Sequence, residues 1–157
     1  MEIRDIERKD IKAALDLVWK VFLEFEAPQY VQAGVQEFKD FISLKSILKM
    51  YDTGEIRFWG CYDNKKLAGV IATKEINHIC LLFVSSQYHR KGIARNLFKT
   101  VLDSITDKNI KSITVNSSPY AVDVYHKLGF KDLDSEKTVN GIRFTPMVYY
   151  IKETNIQ

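Results

Sequence analysis

A chain of 157 residues, 46% of them hydrophobic and 27% charged, suits one domain (residues 1–157) built around a buried core. A formal net charge of +3 fits affinity for an anionic small molecule and is weak grounds for nucleic acid. No apolar stretch approaches the ~20 residues of a membrane span, the N-terminal MEIRDIERKD is charged too early for a signal peptide, and two isolated cysteines, Cys61 and Cys80, make neither a disulfide framework nor a zinc site. The expected setting is a reducing cytoplasm.

In chain order, Ile3-Arg4-Asp5-Ile6 reads as a short strand. Asp10 then caps a helix that carries Ile11, Leu15, Val18, Phe22 and Phe25 on one face, and Pro28 ends it. A less regular helical pattern runs through Val35, Phe38, Phe41, Ile42, Ile47 and Leu48 until Thr53-Gly54 breaks it. Ile56 to Tyr62 and Leu67 to Thr73 are β-rich runs around Asp63-Asn64-Lys65-Lys66, the pattern of a hairpin.

The stretch His78 to Ala94 organises the rest. Its unbroken apolar run, Ile79 to Val84, predicts a central strand covered on both faces. After a polar turn, Gly92 opens a helix with Ile93, Leu97, Val101 and Ile105 at spacing four. The first amides of a helix have no internal partner and sit at the positive end of its dipole. With Arg90, Lys91 and a glycine in the turn, the arrangement can cradle a phosphate, although many such turns bind nothing.

Ser112 to Asn116 is a further strand, and Ser117-Ser118-Pro119 marks a helix start with serine as cap. That helix carries Ala121, Val124, Tyr125 and Leu128, and Gly129 fits its left-handed end. Phe130 to about Val139 and Ile142 to Ile151 read as strands flanking Asn140-Gly141, with a frayed tail from Glu153. The order is β-αα-βββ-α-β-α-ββ. It predicts an α/β (α+β) fold with a mixed, mostly antiparallel central sheet and helices on both faces. The fourth and fifth strands must run parallel across their helix, and where such strands part a crevice opens.

This order and two motifs resemble the GCN5-related N-acetyltransferase (GNAT) superfamily. Its acetyl-CoA signature, Gln/Arg-x-x-Gly-x-Gly/Ala, is matched by His89-Arg90-Lys91-Gly92-Ile93-Ala94, and its C-terminal motif by Ser118 to Phe130, ending in Tyr125-x-x-x-Gly129-Phe130. The sequence departs from the pattern at His89 (Gln or Arg in the family), at Ser86 (often proline) and at Ser118 (often Asn). The resemblance implies that acetyl-CoA is the cosubstrate and that no metal is needed. It places the pyrophosphate on the amides of Arg90 to Ala94, beside His89 and Arg95. It sets the pantetheine arm along the strand edge Leu82-Phe83-Val84, within reach of Asn116 and Ser118. Tyr125 matches the tyrosine that protonates the departing thiolate. A phenol with pKa near 10 can deliver a proton to a thiolate of pKa near 8.5 only slightly uphill. Tyr125 also lies on the helix's apolar stripe, so a purely packed role stays open.

The base for the amine is harder to read. Where family members carry a strand glutamate, Cys80 and Leu81 stand here. His78 is the first choice on pKa and position, with Glu24, Glu26 and Glu75 as alternatives and a structural role for His78 also open. His78 and Cys80 lack further zinc ligands. The implied activity is acetyl transfer to a primary amine, on a small molecule or a peptide, with a homodimer left open. The alternative is a non-catalytic acyl-CoA-binding or interaction module, and CoA release over an amine panel separates the two. Arg90, Lys91, Arg95 and Lys99 make only a local basic patch, so nucleic-acid binding is not expected. The acceptor is expected between the first two helices and the final hairpin, near Phe22, Phe25, Tyr30, Phe144, Tyr149 and Tyr150, with Glu24 and Glu26 close by.

Overall fold

A computed structural model describes residues 1–152, and the tail from Glu153 lies outside them. Strand β1 (Glu2–Asp5) leads into helix α1 (Ile11–Phe25), α2 (Gln32–Phe41) and α3 (Leu44–Thr53). The antiparallel strands β2 (Ile56–Asp63), β3 (Lys66–Lys74) and β4 (His78–Val84) follow. Helix α4 (Ile93–Ser104) crosses to β5 (Ser112–Ser117), and α5 (Val122–Leu128) precedes β6 (Lys131–Asp132), β7 (Lys137–Val139) and β8 (Ile142–Tyr150).

The sheet runs β1-β2-β3-β4-β5-β8-β6, with β7 paired to β8 and only β4–β5 parallel. Helices cover both faces. On one side, Val18 and Phe22 of α1 and Ile47 of α3 pack on Phe58, Val70 and Leu81. On the other, Leu97 and Val101 of α4 and Tyr125 of α5 pack on Ile79, Ile113 and Met147. Each large aliphatic or aromatic side chain so buried contributes ~1.5–3 kcal/mol, which is what holds the layers together.

Two expected elements divide. The single helix read through Val35–Leu48 is α2 and α3, because Ser43 stops the first and its hydroxyl accepts the Ser46 amide at 3.3 Å to cap the second. The strand read from Phe130 to Val139 is β6 and β7. Between them Asp134 accepts the Ser135 amide at 2.8 Å and the Lys137 ammonium at 2.9 Å, a local turn that outcompetes the ladder. The order is therefore β-ααα-βββ-α-β-α-βββ.

The run Ile79–Val84 hides a break in the pleat. Thr73 pairs with Ile79 and Ala72 with Leu81, so Cys80 is an extra residue, a β-bulge. The bulge reverses the alternation: Ile79 enters the core under α4 and Leu81 the core under α1. It also lies where parallel pairing ends, since β4 and β5 pair only at His78↔Thr114 and Ile79↔Val115. Beyond that point the strands part.

Candidate active site

Two clefts meet at the parting of β4 and β5, sharing Glu26, Leu82, Phe83, Ala121 and Tyr125 in their walls. The larger, 710 Å³, opens towards the turn before α4. The smaller, 340 Å³, opens towards α2 and the β7–β8 hairpin.

The turn before α4 presents free backbone amides to the larger cleft. Arg90 and Gly92 both adopt left-handed backbone (φ 62° and 77°), and Gly92 is the N-cap residue with no side-chain cap. Such alternation aims successive amides inward as a concave nest. Among the described residues, the amides of residues 90–95 have no hydrogen-bond acceptor. A Cβ added at Gly92 would meet nothing within 4 Å, so the approach is open. The turn is held from below. The His89 ring meets the Val84 carbonyl through Nε2 at 2.8 Å and packs on Phe25, and the Tyr88 hydroxyl donates to Asp63 at 2.9 Å. Arg90, Arg95 and Lys127 line this cleft, and Arg95 donates to the Lys127 carbonyl at 3.2 Å, tying α4 to α5. Lys91 lines neither cleft.

The carried-over residues divide between the clefts. Leu82 and Phe83 line both, Val84, His89, Arg90, Gly92, Ile93, Ala94 and Arg95 line the larger, and Asn116 and Ser118 line the smaller. The edge of β4 from Leu82 onwards is unpaired on its β5 side, so its peptide groups can accept an extended amide chain as an added strand.

Tyr125 is 4% exposed and lines both clefts. Its own motif aims it: Gly129 (φ 107°) ends α5, the Phe130 amide returns to the Tyr125 carbonyl at 3.0 Å, and the Phe130 ring meets the Tyr125 ring edge-on at 5.3 Å. Burial, with Glu26 and Cys80 nearby, pushes the phenol well above its ordinary value. It keeps its proton at any physiological pH.

Glu26, at the C-terminal end of α1, is the carboxylate common to both clefts. Burial raises its pKa to about 7, with a smaller opposing pull from Ser118. Burial raises Tyr30, Tyr120 and Tyr125 above the ordinary phenol range, and the charge on Glu26 adds to each rise. The sequence offered no reason to prefer Glu26 over Glu24, since only the end of α1 decides which carboxyl turns inward. Glu24 is exposed and lines neither cleft. His78 also lines neither: its Nδ1 meets the Thr114 hydroxyl at 2.8 Å where β4 and β5 still pair, and burial lowers its pKa. Glu75 sits in the β3–β4 turn, away from both clefts.

The expected serine cap of α5 does not form. A single 3₁₀ turn, Pro119–Ala121, intervenes, and the Ser118 hydroxyl, in a residue 8% exposed, has no hydrogen-bond partner among the described residues. Cys80 lines the smaller cleft, but burial raises its thiol to about 12, so it stays neutral and unreactive. Among the described residues no group of three or more His, Cys, Asp or Glu is arranged to hold a metal ion.

The acceptor-side aromatics differ from expectation. Tyr30 and Phe144 line the smaller cleft, joined by Phe38 and Phe41 of α2, which had read as packing residues. Phe22 is wholly buried against Phe38, Phe25 faces His89 and Tyr120, Tyr149 packs on Phe98 and Phe130, and Tyr150 is exposed. Helix α2 reaches the cleft because Gly34 meets Gly141 backbone to backbone. A Cβ on Gly34 would overlap the Gly141 carbonyl.

Comparison with known proteins agrees with this architecture. A sequence model described as Acetyltransferase (GNAT) domain matches residues 26–151. The UPF0157 protein YqkA of Bacillus subtilis (strain 168) is 30% identical over 135 residues, 83% of this chain, and the chain spans 39% of that relative's length. The PaiA N-acetyltransferase from Thermoplasma acidophilum, solved in complex with coenzyme A, superimposes with a TM-score of 0.77 at 19% identity, over 96% of this chain and 98% of its own. A variant of the spermidine N-acetyltransferase SpeG from Vibrio cholerae gives 0.65 at 19% identity, over 96% and 95%. At these identities the likeness to solved structures is one of fold.

Proposed function

The chain belongs to the GNAT acetyltransferase family, and from that premise we propose that it transfers the acetyl group of acetyl-CoA to a primary amine by direct attack, with Glu26 as general base and Tyr125 as general acid. One observation carries the reading: these two groups alone, among ionisable side chains, line both clefts.

The residues of the larger cleft fit the cosubstrate. The free amides of residues 90–95, with Arg90 and Arg95 beside them, suit the pyrophosphate, and the unpaired β4 edge suits the amide arm. That arm directs the thioester to the junction, close to Ser118 and Asn116 in the smaller cleft. Acetyl-CoA supplies the thioester carbonyl on which an amine in the smaller cleft closes.

An alkylammonium must lose a proton before it can attack. With a pKa of about 7, Glu26 is half ionised at neutral pH and can accept that proton, and it replaces His78 as the base in this reading. The nitrogen gives up a second proton as the amide forms, while Tyr125 holds its own proton at Oη for the leaving sulfur. One proton is released overall. The raised phenol pKa makes Tyr125 a reluctant acid, so it donates only once negative charge has built up on sulfur. The neutral thiol of Cys80 makes an acyl-cysteine route unfavourable.

The test is thiol release from acetyl-CoA by the purified chain over a panel of primary amines. Release that depends on an amine, with acetylated product in equal amount, supports the reading. Tight acetyl-CoA binding with no release under any amine would make the chain a binding module instead.

A further inference from the structure

The two clefts differ sharply in charge. The wall of the smaller holds two carboxylates, Glu26 at the junction and Glu37 at the exposed rim on α2, and no lysine, arginine or histidine among the described residues. This is so although the protein carries a net charge of +3. Between the carboxylates the lining is aromatic: Tyr30, Phe38, Phe41 and Phe144. Aromatic faces attract ammonium groups and tolerate methylene chains.

The uncharged polar side chains of the wall are Asn116, Asn140, Ser117, Ser118, Tyr30 and Tyr125, set at the ends of its aromatic stretch. The Tyr30 hydroxyl is taken by the Arg143 carbonyl at 3.2 Å, and that of Ser117 by the Ser118 carbonyl at 2.9 Å. The nine-tenths buried hydroxyl of Ser118 lines the cleft close to Glu26 and draws that carboxyl's pKa down a little. The aromatic stretch between the carboxylates pairs few hydroxyls, so it favours an aliphatic chain over a sugar.

We infer that the acceptor is an aliphatic amine with a second cationic centre, the reacting nitrogen at Glu26 and the second charge at Glu37. The 340 Å³ of the cleft suits a small molecule of this kind. The inference rests on the amine-acetylation reading, yet its test is binding, which needs no turnover.

Calorimetry with the CoA-loaded chain compares 1,4-diaminobutane, 1-aminobutane and glucosamine as probes. A second ion pair at a partly exposed rim, with cation–π help, is expected to favour the diamine over the monoamine about tenfold. Glu37→Gln is expected to remove that preference, whereas Glu24→Gln, an exposed carboxylate outside both clefts, keeps it. Equal affinity for diamine and monoamine, tighter binding of glucosamine, or a preference that survives Glu37→Gln would overturn the inference. Diamine binding with the expected pattern but no acetylation would uphold it and sink the catalytic reading alone.

Discussion

The two clefts are unlike in how they are built. The larger is made mainly by one continuous piece of chain, the end of β4, the turn and the start of α4, and the groups it presents are free backbone amides. The smaller is assembled from the end of α1, α2, β4, β5, α5 and the β7–β8 hairpin, and the groups it presents are side chains. A backbone cradle should tolerate exchange of most side chains around it, because its amides remain whatever side chain stands beside them. A side-chain cleft is remade by any substitution. The first should therefore recognise the shared cosubstrate and the second the particular acceptor.

The contrast can be broken at the junction first. Tyr125→Phe keeps the ring and its packing on Phe130 and removes only the proton. It is expected to lower kcat by roughly 10²-fold or more, the scale of general acid catalysis, while leaving CoA affinity almost unchanged. An unaltered kcat under single-turnover conditions would return Tyr125 to the core.

Glu26 offers the next largest effect, in stability. Its folded pKa of about 7 lies above the ordinary 4.5, so ionisation opposes folding. The stability that Glu26 contributes is complete below pH 4.5 and is lost as pH rises through 7. A shift of that size corresponds to roughly 3 kcal/mol at most. Glu26→Gln should thus be more stable than wild type in urea at pH 8 and equal to it at pH 4. The same variant should abolish an ascending limb of kcat/KM near pH 7, whereas His78→Ala should leave that limb in place.

In the cradle, Gly92→Asp points a carboxylate into the open space where the pyrophosphate is proposed to sit, and CoA affinity should fall at least tenfold by calorimetry. Gly92→Asn makes a sharper control. Asparagine also tolerates left-handed backbone but carries no charge, so most of the affinity should remain. Lys91→Ala should have the smallest effect, under about threefold, because this side chain lines neither cleft and exposed charges are weakly coupled. A larger loss for Lys91→Ala than for Gly92→Asp would mean that side-chain charge, and not the amides, holds the anion.

Legibility followed the same division. The turn at Gly92 and the Tyr125-x-x-x-Gly129-Phe130 ending could be read because each is local. Unpartnered amides, positive φ and a left-handed cap follow from a few adjacent residues. Ser118 shows the limit of that logic. A Ser-Pro pair normally caps a helix, but an intervening 3₁₀ turn left the hydroxyl buried and unpaired in a cleft. Cys80 shows another, since nothing in an unbroken apolar run signals which residue will be the bulge.

By itself the sequence determined the strand–turn–helix cradle, the antiparallel hairpins and the helices that cover the sheet, since hydrophobic period and turn chemistry act over short spans. Only the tertiary structure decided which carboxylate turns into the junction, that α2 reaches the smaller cleft through Gly34 and Gly141, and that His78 stays behind where the strands still pair. Those outcomes depend on contacts between elements far apart in the chain, where packing and burial set each side chain's direction and charge, and no local pattern encodes them.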